Sequence, residues 1–288
     1  MRISINITDY SWTADDLGSQ LARIVRTADE AGLDTVWVPD HLLQCDPNST
    51  SDAEMLEAYT TLGFLAAHSE RVRLGTMVTG NTFRAPALLV KAVTTLDALS
   101  GGRAWLGIGA GYQQDEARAM GLPFPPVAER FGQLEETLQL ATQMWAGDAS
   151  AFEGGHYQLA RPISSPRPVA RPRPPILIGG MGEHRTLRLV ADYADACNLF
   201  DVPDGGATLR HKLAVLAQHC RAAGRPYDAI DKTVSTFLEP GASPDAVARR
   251  CEFFAELGIE HVVVITTGPW TEEAVADLGS TAALTAAP

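Results

Sequence analysis

The sequence predicts a (β/α)8 barrel, an α/β fold, on three observations. Eight short apolar runs recur, each followed by a stretch of helical periodicity. Most runs are apolar nearly throughout, as strands buried on both faces must be. The length of 288 residues suits one barrel of roughly 250 residues, so residues 1–288 read as a single domain. A doubly wound sheet ranks second.

The runs fall at residues 3–7, 35–38, 72–78, 104–108, 176–178, 196–200, 233–237 and 261–266; only the first, Ile3-Ser4-Ile5-Asn6-Ile7, alternates cleanly. After it, Leu17, Leu21, Ile24, Val25 and Ala28 form one apolar helical stripe. The third helix should begin at Pro86 and end at Gly101-Gly102, before the strand that Arg103 opens. Between the fourth helix and the fifth strand, residues 147–175 carry Pro162, Pro166, Pro168, Pro172, Pro174 and Pro175, too many for a helix or a central strand. This Pro-rich insertion is expected over the barrel rim, in the role of a lid.

A net charge of −12 with scattered basic residues argues against a nucleic-acid groove and for a small-molecule substrate. Cys45, Cys197, Cys220 and Cys251 show no metal spacing, and a reducing cytoplasm fits them. The N-terminus enters a strand directly, and no apolar run approaches the roughly 18 residues of a membrane span, so neither a leader nor a membrane partner is expected.

The motifs narrow the chemistry. Gly107-Ile108-Gly109-Ala110-Gly111 lacks the spacing of a dinucleotide turn. Gly179-Gly180-Met181-Gly182 comes nearer, with a strand before it, a helix after it and Asp201 further on, but its third position is Arg185. Such a turn brings backbone close to a ligand and offers free N–H groups to an anion, or is simply a tight connection. The first strand ends without a His-x-His pair and no HExxH occurs, so no metal site is expected. His68, His211 and His219 lie on helices as solvated or capping groups, and His261 opens a strand, on the stability face. His41 stands apart: it follows the second run and Asp40, where barrel chemistry sits, and an imidazole there exchanges protons near neutral pH.

These stretches also carry a resemblance. The segments 33–41 (Leu-Asp-Thr-Val-Trp-Val-Pro-Asp-His), 73–78 (Arg-Leu-Gly-Thr-Met-Val), 83–87, 100–103, 107–112, 174–180 and 194–198 resemble, in order, the bacterial luciferase-like family of flavin- and deazaflavin-dependent barrel oxidoreductases. The match covers most of residues 17–200 and is thin beyond. The Pro-Asp-His ending and the Gly-Gly-Met-Gly-Glu turn are most similar to the branch that uses coenzyme F420, a 5-deazaflavin.

That resemblance implies an F420-dependent oxidoreductase passing hydride between the deazaflavin and a small organic molecule. An FMN-dependent monooxygenase fed by a partner reductase is the first alternative, and a non-catalytic flavin- or ligand-binding barrel the second. It places Asp40 and His41 near the ring, with His41 exchanging the proton. Thr76, Met77, Val78 and Thr79 lie against the ring's other face, with a bulge and a non-proline cis peptide between Met77 and Val78. Gly109, Gly111 and Tyr112 fall near the ring or ribityl chain, and Gly179, Gly180 and Met181 around the tail. Tyr112 stands where the branch's sugar-phosphate dehydrogenases have glutamate, which puts that substrate in doubt; Tyr112 and Asp115 are then further catalytic candidates. Arg84, Arg185 and the cluster Arg161, Arg167, Arg171 and Arg173 are candidate partners for the anionic tail, and the resemblance implies a homodimer through the second and third helices.

Overall fold

The computed structural model describes residues 1–12, 16–46, 49–238 and 242–285, with side chains to 282. Eight parallel strands close a barrel in the order β1 (Arg2–Asn6), β2 (Thr35–Asp40), β3 (Arg73–Gly80), β4 (Leu106–Gly109), β7 (Ile176–Gly179), β8 (Ala196–Phe200), β9 (Asp231–Leu238) and β10 (His261–Thr266), the last pairing with the first. Each overlaps one of the eight apolar runs. A separate antiparallel hairpin joins β5 (Phe152–Glu153) and β6 (Gln158–Leu159). Inside the barrel Trp37, Trp105, Leu177, Ala196 and Val263 pack as one cluster. Gly75 makes room for them, since a Cβ there would lie 2.7 Å from both the Trp37 ring and the Trp105 Cβ.

The outer ring consists of α1 (Leu17–Glu30), α2 (Ala58–Ala67), α3 (Pro86–Leu99), α4 (Gln114–Ala119), α5 (Val127–Ala146), α6 (Thr186–Tyr193), α7 (Ala207–Ala223), α8 (Pro244–Glu256) and α9 (Glu272–Thr285). The α1 stripe buries Leu21, Ile24, Val25 and Ala28. Pro86 opens α3, and beyond it Gly101 and Gly102 take φ of 71° and 95°, which stop the helix without a Cβ penalty. After β4 the chain forms two helices rather than one; the added six-residue α4 carries part of the site described below. Among the described residues no helix is long and apolar enough to cross a membrane.

Polar ties close the N-terminal end of the barrel. Asp29 accepts the N–H groups of Glu70, Arg71 and Val72 at 3.2, 2.7 and 2.6 Å. Burial pushes its carboxyl up, but these bonds prevail and hold it below the ordinary range. His261 is buried with Nε2 at 2.5 Å from Ser4 Oγ, which also accepts the Thr35 N–H. Burial pushes this imidazole down to about 4, so it is neutral near pH 7.

No residue of the Pro-rich segment 147–175 lines the cavity described below, where a lid would be expected to. The hairpin turn hangs on α5, where Glu136 accepts the N–H groups of Gly155, His156 and Tyr157. The chain then follows α3, with Ser164 beside Thr94, and the N–H groups of Val169 and Ala170 reach Asp97 at 2.6 and 3.0 Å. Asp97 sits at the C-terminal end of α3, so its carboxylate draws the segment to the end of the barrel away from the cavity. Arg167 donates to the Ala146 carbonyl, Arg171 to that of Pro168, and Arg173 pairs with Asp195 at 2.5 Å. Arg167, Arg171 and Arg173 of the cluster thus make local ties.

Candidate active site

The site begins with a change of register. Val38 pairs with Thr76, but Asp40 pairs with Thr79, so two residues of β2 face three of β3. The extra residue is a β-bulge. It falls at Met77-Val78, whose peptide bond is cis. Val78 then projects between two glycines: a Cβ on Gly179 would meet its methyls at 3.0 Å, and one on Gly109 at 3.1 Å.

A cavity of about 640 Å³ opens at this bulge, at the C-terminal end of the strands, within the usual size range of small-molecule sites. Asp40, His41, Met77, Val78, Thr79, Gly109, Gly111, Tyr112, Gly179 and Gly180 all line it, and no residue of 147–175 does. Three sequence candidates are not brought to it. Thr76 is buried behind the wall and donates its hydroxyl to the Gly107 carbonyl at 2.8 Å. Met181 packs partly buried against the core. Asp115 is exposed on α4 and is not among the lining residues.

Its neighbour Glu116, not singled out from the sequence, is turned inward instead. Glu116 is 4% exposed, and its Oε2 lies 2.8 Å from His41 Nδ1 while Oε1 accepts the N–H groups of Leu42 and Leu43 at 2.5 and 3.1 Å. Burial pushes this carboxyl up, but the His41 contact and the two amides outweigh it and hold it below the ordinary carboxylate range. An anionic Glu116 makes Nδ1 the protonated nitrogen of a neutral His41 and leaves Nε2 as acceptor. Nε2 lies 3.4 Å from the Tyr112 hydroxyl, the two rings meeting edge to face. Cys45 Sγ is 3.4 Å from Nδ1, and burial, with the charge on Glu116, pushes its thiol up to about 11. His41, Cys45 and Glu116 are, among the described residues, the one trio of metal-ligating types whose ligand atoms gather within 4.8 Å.

Asp40 points the other way. Arg84 clamps it with two nitrogens at 2.5 and 3.0 Å, also pairs with Glu57, and lies over the Tyr59 ring. Burial pushes the Asp40 carboxyl up, and Arg84 opposes this. The Tyr59 hydroxyl bonds Thr79 at 2.8 Å and fixes the end of the bulge. Asn6, Thr8, Asn198 and Ser235 also line the cavity. Asn198 donates to Ser235 at 2.9 Å, whereas the buried Asn6 Oδ1 has no partner. At the mouth, Tyr112, Phe200 and Phe237 are 70%, 51% and 64% exposed.

The turn over residues 179–185 adjoins the cavity. Glu183 gathers Lys212 at 2.5 Å and His211 at 3.0 Å, and its carbonyl meets His219 Nε2. Arg185 is exposed, with its guanidinium 5.6 Å from the Phe131 ring.

A parallel barrel whose strand ends carry a buried carboxylate–imidazole couple beside a small-molecule cavity has the anatomy of a barrel enzyme. The chain belongs to the luciferase-like monooxygenase family, whose model matches residues 1–280. The F420-dependent glucose-6-phosphate dehydrogenase of Kineococcus radiotolerans is 32% identical over 245 residues, 83% of this chain and 69% of that relative. Among solved structures, an F420-dependent secondary alcohol dehydrogenase in complex with an F420-acetone adduct superposes with a TM-score of 0.81 at 18% identity, over 97% of both chains. A monooxygenase from Streptomyces bottropensis gives 0.81 at 19% identity, over 98% of this chain and 97% of that one. At these identities the two structures speak for the fold alone.

Proposed function

We propose that the protein is a coenzyme F420-dependent oxidoreductase that moves a hydride between the deazaflavin and a small organic substrate. The observation that carries this reading is the His41–Glu116 couple, set into the cavity that the β3 bulge shapes. The relatives named for F420 support the choice of cofactor.

The residues fit such a group. Gly109, Gly111, Gly179 and Gly180 leave the wall without side chains beside the Met77-Val78-Thr79 backbone, as a flat ring requires. The 179–185 turn, where Arg185 is exposed, supplies a cation for an anionic tail. The bound deazaflavin supplies a carbon centre that gives or takes a hydride. His41 Nε2 gives or takes the accompanying proton, and Glu116 stabilises the imidazole when it is charged. Tyr112 bounds the position where the substrate's reacting group meets Nε2.

Titration of the protein with F420 and with FMN, followed by fluorescence quenching, tests the reading. F420 should bind at least about tenfold more tightly, a difference of about 1.4 kcal/mol. A tenfold preference for FMN would overturn it and favour the FMN-dependent monooxygenase.

A further inference from the structure

We infer that the cavity takes an uncharged, largely apolar substrate and rejects phosphorylated ones. The inference rests on the F420 reading for what else occupies the site, and it comes from an accounting of charge around the cavity.

Among the described lining residues there is no lysine or arginine; the ionisable ones include Asp40, Asp46, His41 and Cys45. The cations that approach from behind the wall are committed elsewhere. Arg84 is held by Asp40 and Glu57, and Arg130 by the carbonyls of Ala110 and Pro125. Arg250 is held by Asp201 at the end of β8, and Lys212 by Glu183. Arg185 borders the 179–185 turn, where the cofactor's own anionic tail is proposed to lie. A phosphate brought in beside His41 would meet no uncommitted lysine or arginine among the described lining residues, and desolvating a dianion without a partner is strongly unfavourable.

What the lining does offer suits a neutral molecule. Met55, Phe83, Phe131 and Leu134 furnish apolar wall, and Phe200, Phe237 and Tyr112 an apolar mouth. The uncharged polar groups include Thr8, the Asn198–Ser235 pair and Asn6, whose buried Oδ1 awaits a hydrogen-bond donor. A leftover acceptor without a leftover cation selects a hydroxyl or amide N–H over an anion.

The test compares 2-naphthol with 2-naphthyl phosphate, one ring system with and without the charge, on the F420-loaded protein by calorimetry in 0.15 M and 0.5 M NaCl. The naphthol should bind at least tenfold more tightly at both salts; the higher salt screens the net negative charge of the chain, so a preference that survives it belongs to the cavity. Phe237→Lys, an exposed change at the mouth, should narrow that preference at least threefold by helping the phosphate. Equal or tighter binding of the phosphate, binding of neither probe, or a preference that Phe237→Lys leaves untouched would overturn the inference. F420 affinity is measured on the same samples, so failure to bind the cofactor is told apart from failure of the substrate class.

Discussion

At the scale of single residues, the site turns on which nitrogen of His41 carries the proton. Glu116 decides this, because an acceptor-only carboxylate 2.8 Å from Nδ1 leaves Nε2 to face the cavity. His41→Asn should leave F420 affinity within about threefold and lower turnover at least about a hundredfold, the lower end of general acid–base catalysis. Glu116→Gln is the sharper variant. Its amide oxygen can still accept the Leu42 and Leu43 N–H groups, but its NH2 then faces Nδ1 and turns Nε2 into the donor. Turnover should fall at least about tenfold, with a changed pH profile and little change in F420 affinity; a purely structural Glu116 would leave that profile in place. The couple was half legible in the sequence. The place of His41 after a strand marks it, whereas nothing in the sequence marks Glu116 over its neighbour Asp115. One residue along a helix rotates a side chain by about 100°, and here that step separates solvent from a 4% exposed carboxylate. A six-residue helix is too short to reveal its phase by periodicity.

At the scale of elements, the bulge in β3 and the glycines in β4 and β7 form one device. Val78 occupies the space that a Cβ on Gly109 or Gly179 would fill. Gly179→Ala should therefore displace Val78 and weaken F420 binding at least about tenfold, and Val78→Ala in the same chain should restore part of the loss. Additive losses would show that the two positions act separately, since residues in contact couple measurably in double-mutant cycles. The eight strands were legible because burial on both faces writes continuous apolar runs. The course of residues 147–175 was not: proline content excludes a helix but does not say which end of the barrel the segment seeks. That was settled by Asp97, some 70 positions earlier, which accepts the N–H groups of Val169 and Ala170.

At the scale of the whole molecule, the ties at the N-terminal end of the barrel set a response to pH. His261, neutral in the fold at about 4 and near 6.5 when unfolded, binds more proton in the unfolded chain between those values. Its contribution is complete above about 6.5 and is lost as pH falls toward 4. Asp29, held below its ordinary value, adds stability that is present above about 3.9 and is lost as pH falls through its lower folded value. The melting temperature should thus be flat near pH 7 to 8, decline from about 6.5 downward and fall further below 4. A scan by calorimetry checks this; a melting temperature that rises on acidification through pH 6 to 4 would contradict it.

The three aromatic side chains at the mouth have a consequence for adaptation. Tyr112 follows β4, Phe200 closes β8 and Phe237 lies near the end of β9, and each is more than half exposed. None takes part in the hydrogen bonds that fasten Glu116, Asp29 or His261. Exchanging Phe200 or Phe237 alters what the entrance admits at little expense to folding, because surface substitutions usually shift stability by no more than about 0.5 kcal/mol, whereas Tyr112 is tied to the couple by its hydroxyl, 3.4 Å from His41 Nε2. The entrance is therefore open to evolutionary drift or laboratory selection one position at a time, toward new molecules, while the proton couple beneath it is inherited unchanged.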